Sequence, residues 1–312
     1  MPGYARAGNS LTGQRPLANR AGAQVVSGRD PGSMASITTP HFLIHDGRVR
    51  PRFGSGGISN ELAGHIAAEL GPLGLVPDGP AFERVFVETV LATHPDPMQA
   101  WTGFYGNTMR RLRRPDPGGT GSVATFARIY EHVMSLIRGT TVLDVGCCFG
   151  FLPLLAADRD PRLRVVGTDL VPSAVALAGR IACAQRSRAR FAAADLMALP
   201  VADEAVDTVL AVHVLEHLPA EASARALAQL RRVARHRVVI AVPLEAEPDP
   251  TFGHAQAFDL GRLATIGAVP ETPESADWSQ ATYAADGGWL VLDRRTRRPT
   301  LSGCAPAYCP IG

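Results

Sequence analysis

The sequence predicts an α/β fold: a doubly wound, seven-stranded sheet, parallel except for a terminal antiparallel hairpin, with a helical cap on its N-terminal side. Three observations carry this. From Thr141 onward, short β-rich runs alternate with helical ones, the rhythm of a parallel sheet whose crossovers are helices. The run Val142-Leu143-Asp144-Val145-Gly146-Cys147-Cys148-Phe149-Gly150 is an apolar strand ending in a Gly-rich turn. Asp286-Gly287-Gly288 separates two further β-rich runs with residues that suit a tight hairpin.

In chain order, residues 1 to about 55 are rich in Gly, Pro, Ser and Arg without a sustained period. They predict a flexible leader with one short strand at His41 to Ile44, and Met34 is a second candidate start. Residues 56–138 read as the cap, with four apolar stripes at helical spacing: Leu62, Ile66, Leu70; Phe82, Val85, Phe86, Val90; Trp101, Phe104, Tyr105, Thr108, Met109, Leu112; and Val123, Phe126, Ile129, Tyr130, Val133, Ile137. Gly139 is placed to end the fourth helix and marks the boundary.

Residues 139–296 form the sheet domain and 297–312 a tail. Strands are expected at Thr141 to Val145, Arg164 to Thr168, Arg190 to Ala193, Val206 to Val212 and Val238 to Val242, all parallel. Helices fall near Phe151 to Ala157, Pro172 to Ala184 and Glu221 to Ala234. Trp278 to Ala284 and Trp289 to Asp293 make the hairpin.

Composition removes several function classes. All 31 basic residues among the 312 are Arg, so no Lys exists for P-loop phosphate chemistry, Schiff bases or pyridoxal phosphate. A formal charge of +2 does not suggest nucleic acid or a membrane surface as partner, and no run reaches membrane-spanning length. Five cysteines without a secretory apolar segment read as reduced thiols, which makes a cytoplasmic location the expectation. Cys304 and Cys309 alone make a poor metal site, so none is expected.

The glycines of the first turn let backbone N–H groups approach a ligand, and the helix N-terminus that follows offers unpaired donors. Asp169 lies 19 residues past Gly150, at the end of the second strand, where an open α/β nucleotide fold places an acid on the ribose hydroxyls. Asp195, after the third strand, is suited to an adenine amino group. Asp144 either shapes this pocket or caps a turn. Cys147 and Cys148 read as small packing residues rather than nucleophiles, since no cation lies nearby in sequence. The fourth strand runs into His213-Val214-Leu215-Glu216-His217-Leu218, where Glu216 and His217 are either structural or catalytic.

With these residues the chain resembles the class I S-adenosylmethionine-dependent methyltransferases, whose fold is Rossmann-like, over roughly residues 139 to 295. The resemblance implies S-adenosyl-L-methionine as cofactor. Asp144, Gly146 and Gly150 would shape the methionine pocket, Asp169 would bind ribose, Asp195 adenine, and His213 would line the donor site; Cys147, Leu170 and Leu196 are counted with them. Cys148 stands where this family usually has its middle glycine.

In the segment Pro243 to Phe258, His254 is the preferred candidate base, with Glu216 a second catalytic candidate; a loop histidine bonded to backbone is the other reading. Trp101-Thr102-Gly103-Phe104-Tyr105-Gly106-Asn107-Thr108, Gly121-Ser122-Val123-Ala124-Thr125-Phe126, Cys148 to Leu155 and Phe252-Gly253-His254 are similar to the mycofactocin oligosaccharide methyltransferases. That similarity implies O-methylation of a sugar hydroxyl on a glycosylated, peptide-derived small molecule. Trp101 and Tyr105, one helical turn apart, either form an aromatic platform for the sugar or belong to the core. A lipid quinone or polyketide-type acceptor, and a non-catalytic cofactor-binding relic, are the alternatives.

Overall fold

The computed structural model describes residues 24–26, 36–116, 118–268 and 278–295. The expected tail, with Cys304 and Cys309, and the proposed start at Met34 lie outside them. The chain divides into two compact units, residues 1–110 and 111–312.

The first unit departs from the expected leader. Strands β1 (Gln24–Val26), β2 (Ser36–Thr38), β3 (Phe42–His45) and β4 (Arg48–Pro51) form an antiparallel sheet in that order. Phe42 and Ile44 are buried while Leu43 and His45 face out, the two-residue alternation of a strand with one covered face. Asp46 and Gly47, both at positive φ, make the two-residue turn into β4.

Helices α1 (Glu61–Leu70), α2 (Gly79–Leu91) and α3 (Pro97–Arg113) follow. Asp78 caps α2 by accepting the Ala81 N–H at 2.8 Å. Leu62, Ile66 and Leu70 on α1, Val85, Phe86 and Val90 on α2, and Phe104, Tyr105 and Met109 on α3 are buried. Phe86 meets Phe104 edge to face at 5.6 Å between ring centroids. Tyr105 is fully buried, which rules out the sugar platform with Trp101; Trp101 itself is half-buried, its ring edge to face with Phe104 at 5.5 Å between centroids.

In the second unit, helix α4 (Ser122–Leu136) precedes a seven-stranded sheet. The strands are β5 (Thr141–Val145), β6 (Arg164–Asp169), β7 (Arg190–Ala193), β8 (Val206–Val212), β9 (Ala234–Val242), β10 (Trp278–Ala284) and β11 (Gly288–Arg294). Their order is β10-β11-β9-β8-β5-β6-β7, with β5 to β9 parallel and the β10–β11 hairpin antiparallel, as expected. Helices α5 (Phe151–Arg159), α6 (Pro172–Ala184), α7 (Ser223–Val233) and α8 (Leu260–Gly267) complete the unit. Central β8 is buried along Asp207–Ala211, as a parallel strand covered on both faces must be. The chain turns back on either side of β5, since β6 and β8 flank it, and open α/β sheets bind ligands at such a switch point, beyond the strand ends.

Asp207 ties the entry of β5 to β8. Burial alone would raise its pKa, but the Thr140 and Thr141 N–H groups, the Thr141 hydroxyl and Arg235 hold the carboxyl down to about 2. Gly139, at φ +75°, sits against this carboxylate: a Cβ there would lie 2.5 Å from Asp207 atoms. Gly139→Ala is expected to cost about 2–4 kcal/mol, from left-handed strain and displaced hydrogen bonds together. Urea unfolding measures this, and an unchanged midpoint would show that the turn adapts.

Candidate active site

The Gly-rich turn leaves the C-terminal end of β5. Gly146, at φ +72°, has Val214 Cγ2 where a Cβ would be 2.6 Å away, and Gly150, at φ +71°, caps α5 with the Phe191 ring 2.4 Å from its missing Cβ. Both positions therefore demand glycine on two counts, backbone conformation and space. Cys148 also has positive φ, +47°, where a side chain costs about 1–2 kcal/mol relative to glycine. Cys148 is exposed, whereas Cys147 is buried.

Asp169 closes the turn. Its Oδ2 accepts the Cys148 N–H at 2.8 Å and its Oδ1 accepts the Val171 N–H at 2.9 Å. Each carboxylate oxygen retains a further acceptor site, so the acid can fix the loop and still receive two hydroxyls. Leu170 and Val171 beside it are exposed apolar residues. Asp195 is exposed after β7, with Oδ1 accepting the Met197 N–H at 2.8 Å, while Leu196 packs into the core.

Beneath the turn, Asp144 is buried at 3% exposure. Desolvation, helped by the Asp169 charge, pushes its carboxyl up to about 8. Burial also raises Cys147, with Asp144, Asp169 and Cys148 adding to it, so this thiol is a packing group and not a thiolate nucleophile. Burial raises the Tyr130 phenol on α4, and Asp144, Cys148 and Cys147 add to the rise; its ring packs against Phe126, 5.6 Å between centroids. Read from sequence, Tyr130 is one member of an apolar stripe; its hydroxyl is the one sign that set it apart.

A second group forms where β8 ends. His213, at φ +55°, holds its ring tilted against Phe126 of α4, 5.3 Å between centroids, and its Nδ1 lies 3.1 Å from Glu216 Oε1. Glu216 is completely buried, in a short 3-10 turn with His217. The loop after β9 folds onto this turn: the Ala255 and Gln256 N–H groups donate to the Glu216 carbonyl at 2.7 and 3.2 Å. The buried Gln256 amide donates to the Leu215 and Leu218 carbonyls and to the Ser223 hydroxyl. Gly253, at φ +74°, turns the chain so that His254 arrives 5.1 Å from His217, ring centroid to ring centroid. His254 Nδ1 pairs with Glu245 Oε2 at 2.8 Å.

The structure thus brings Asp144, Gly146, Cys147, Gly150 and Asp169 together at one turn, and His213, Glu216 and His254 together at another. Sequence reasoning passed over Glu245 as the partner of His254, Gln256 as the staple, and Phe191 under the glycines. The strand-end position of the first group and the Phe-Gly-His turn are the signals that were present.

A family model described as a methyltransferase domain matches residues 142–237. The chain is similar to the demethylmenaquinone methyltransferase of Thermus thermophilus, with 41% identity over 68 residues, 22% of this chain and 31% of that protein. The match thus spans less than a third of that curated relative. Among solved structures, it is similar to the PH0226 protein from Pyrococcus horikoshii (15% identity, 58% of this chain and 93% of that chain, TM-score 0.46). A magnesium protoporphyrin IX methyltransferase from Synechocystis with bound SAH is also similar (18% identity, 61% and 94%, TM-score 0.45). Among the described residues, no helix is long and apolar enough to cross a membrane.

Proposed function

We propose that the chain is an S-adenosyl-L-methionine-dependent O-methyltransferase acting on a sugar hydroxyl, the mycofactocin oligosaccharide being the acceptor that the sequence resemblance favours. The observation that carries the reading is the shared edge: β5 and β8 are paired neighbours, so the Asp169-locked glycine turn and the Glu216–His254 group leave the sheet at adjacent strand ends. A donor site and an acceptor site side by side are what a direct group transfer needs.

In this reading Asp169 binds the ribose hydroxyls through its remaining acceptor sites, and Leu170 gives the adenosine an apolar surface. Asp195 receives the adenine amino group with the oxygen not held by Met197. Gly146, Cys147 and Gly150 present backbone to the methionine moiety, over Asp144 and Tyr130. Gly146 and Gly150 fit that task because no side chain fits at either position. His213 lines the donor site, and Leu196 supports it from the core. Bound S-adenosylmethionine supplies an already activated methyl group, so the chain's own work is to align the acceptor oxygen and ease the loss of its proton. Glu216 and His254 do the latter, with Glu245 holding the His254 ring in one orientation. The local identity to the demethylmenaquinone methyltransferase favours a quinone as the second reading.

Incubation with S-adenosylmethionine and an extract containing the glycosylated redox peptide is expected to add one methyl group to a hexose, read by mass spectrometry. His254→Ala is expected to keep donor affinity and lose most turnover. Methylation of quinones with the sugar chain untouched would overturn the acceptor assignment; undiminished turnover in His254→Ala would remove that residue from the chemistry.

A further inference from the structure

We propose that Glu216, His217 and His254 form a binding site for one divalent transition-metal cation of the Zn²⁺, Mn²⁺ or Co²⁺ type. The ligand atoms these three residues offer all lie within 4.8 Å of one another. Ligands held at ~2.1 Å in a tetrahedron are about 3.4 Å apart, so a modest rotation of the exposed His217 completes the site.

The independent sign of a ligand is Glu216. Its side chain is 1% exposed, and neither carboxylate oxygen has a hydrogen-bond partner among the described residues. Oε1 has only His213 Nδ1 at ion-pair distance. Buried polar oxygens nearly always have a donor, and a carboxylate that has none is what a cation would satisfy.

The two imidazoles are already set in the tautomer that such a cation needs. His254 Nδ1 faces the Glu245 carboxylate at 2.8 Å and His217 Nδ1 faces the Gly253 carbonyl at 3.3 Å. Both partners accept, so each Nδ1 carries the proton and each Nε2 keeps its lone pair. A metal-binding histidine is characteristically held in this way by an outer oxygen. Two imidazoles and one carboxylate suit a transition metal better than Mg²⁺ or Ca²⁺, which prefer oxygen alone, and three protein ligands leave positions open. The backbone bonds from Ala255 and Gln256 to the Glu216 carbonyl hold the two ligand-bearing loops in register.

The use of the site rests on the methyl-transfer reading: the open position takes the acceptor hydroxyl. Bound there, the hydroxyl would release its proton to water, with Glu216 and His254 easing that loss as ligands of the cation and not as bases; the oxygen would form a bond to the donor methyl, and the methyl–sulfur bond would break to leave the thioether.

The test uses the full chain without a polyhistidine tag, freed of metal by chelation and titrated with Co²⁺, read by visible absorption and calorimetry. One Co²⁺ per chain is expected, displaced by Zn²⁺, with Glu216→Gln and His217→Ala each weakening it about tenfold or more. Donor affinity, measured on the same samples, is expected to stay unchanged in His217→Ala. His217 is exposed, so its variant reports even where Glu216→Gln melts early. Wild-type chain that takes up no Co²⁺, or variants that bind it as wild type does, would overturn the proposal. Co²⁺ bound normally by a chain that binds no S-adenosylmethionine would uphold the cation site and sink the transferase reading instead.

Discussion

Asp169→Ala is expected to weaken S-adenosylmethionine binding by about 10²–10⁴-fold, because two hydrogen bonds from ribose hydroxyls to a carboxylate are lost at once and each contributes about 1.5–3 kcal/mol. The loss has a second source. The same carboxylate holds the Cys148 and Val171 N–H groups, so without it the glycine turn is no longer fixed before the ligand arrives. Asp169→Asn separates the two contributions: its amide oxygen can still accept one backbone N–H, but its NH₂ cannot accept, and an intermediate loss is expected. Titration calorimetry with S-adenosylmethionine or S-adenosylhomocysteine measures both variants, with circular dichroism as the check on folding. A loss under about fivefold for Asp169→Ala, less than a single such bond, would show that Asp169 serves the loop alone.

Much of this cradle was legible because its signals are local. An apolar run that stops at Gly, and an acid one strand later, can be read without knowing what packs where; β5, β7, β8 and β10 fall where the apolar runs placed them. Strand β9 begins at Ala234 rather than Val238 because Arg235 and Arg237 enter it with partners. Arg235 pairs with Asp207 and Arg237 with Asp293, so charged residues occupy positions that a hydropathy pattern assigns to a loop. The strands of residues 24–51 span three or four residues each, too few for alternation to stand out against Gly and Arg. Phe126 was legible as part of a helix face, but not as a neighbour of His213, since that depends on where α4 docks. Glu216 and His254 are distant in sequence, and their meeting depends on Gln256, whose three hydrogen bonds follow no sequence period.

Stability of the ligand-free chain is expected to fall as pH rises from about 4 to about 8, through Asp144. Its carboxyl has an ordinary value of 3.8 and is raised to about 8 by burial and by the Asp169 charge. Between those values the folded chain keeps the proton that the unfolded chain has released, so folding takes up a proton and raising the pH opposes it. The contribution is fully present below pH 3.8, declines through the neutral range and is exhausted above pH 8. A shift of this size corresponds to a contribution on the order of 5 kcal/mol.

Asp144→Asn keeps the shape and removes the titration. It is expected to melt close to wild type near pH 4 and clearly above it at pH 8.5. The donor acts in the opposite direction: its amino and sulfonium charges favour the ionised carboxylate, so binding near neutral pH is expected to release a proton. Calorimetry in two buffers of different ionisation enthalpy reads that proton, and Asp144→Asn should abolish it. Equal pH slopes for the variant and the wild type in thermal melts would place the proton on another group and return Asp144 to the packing of β5.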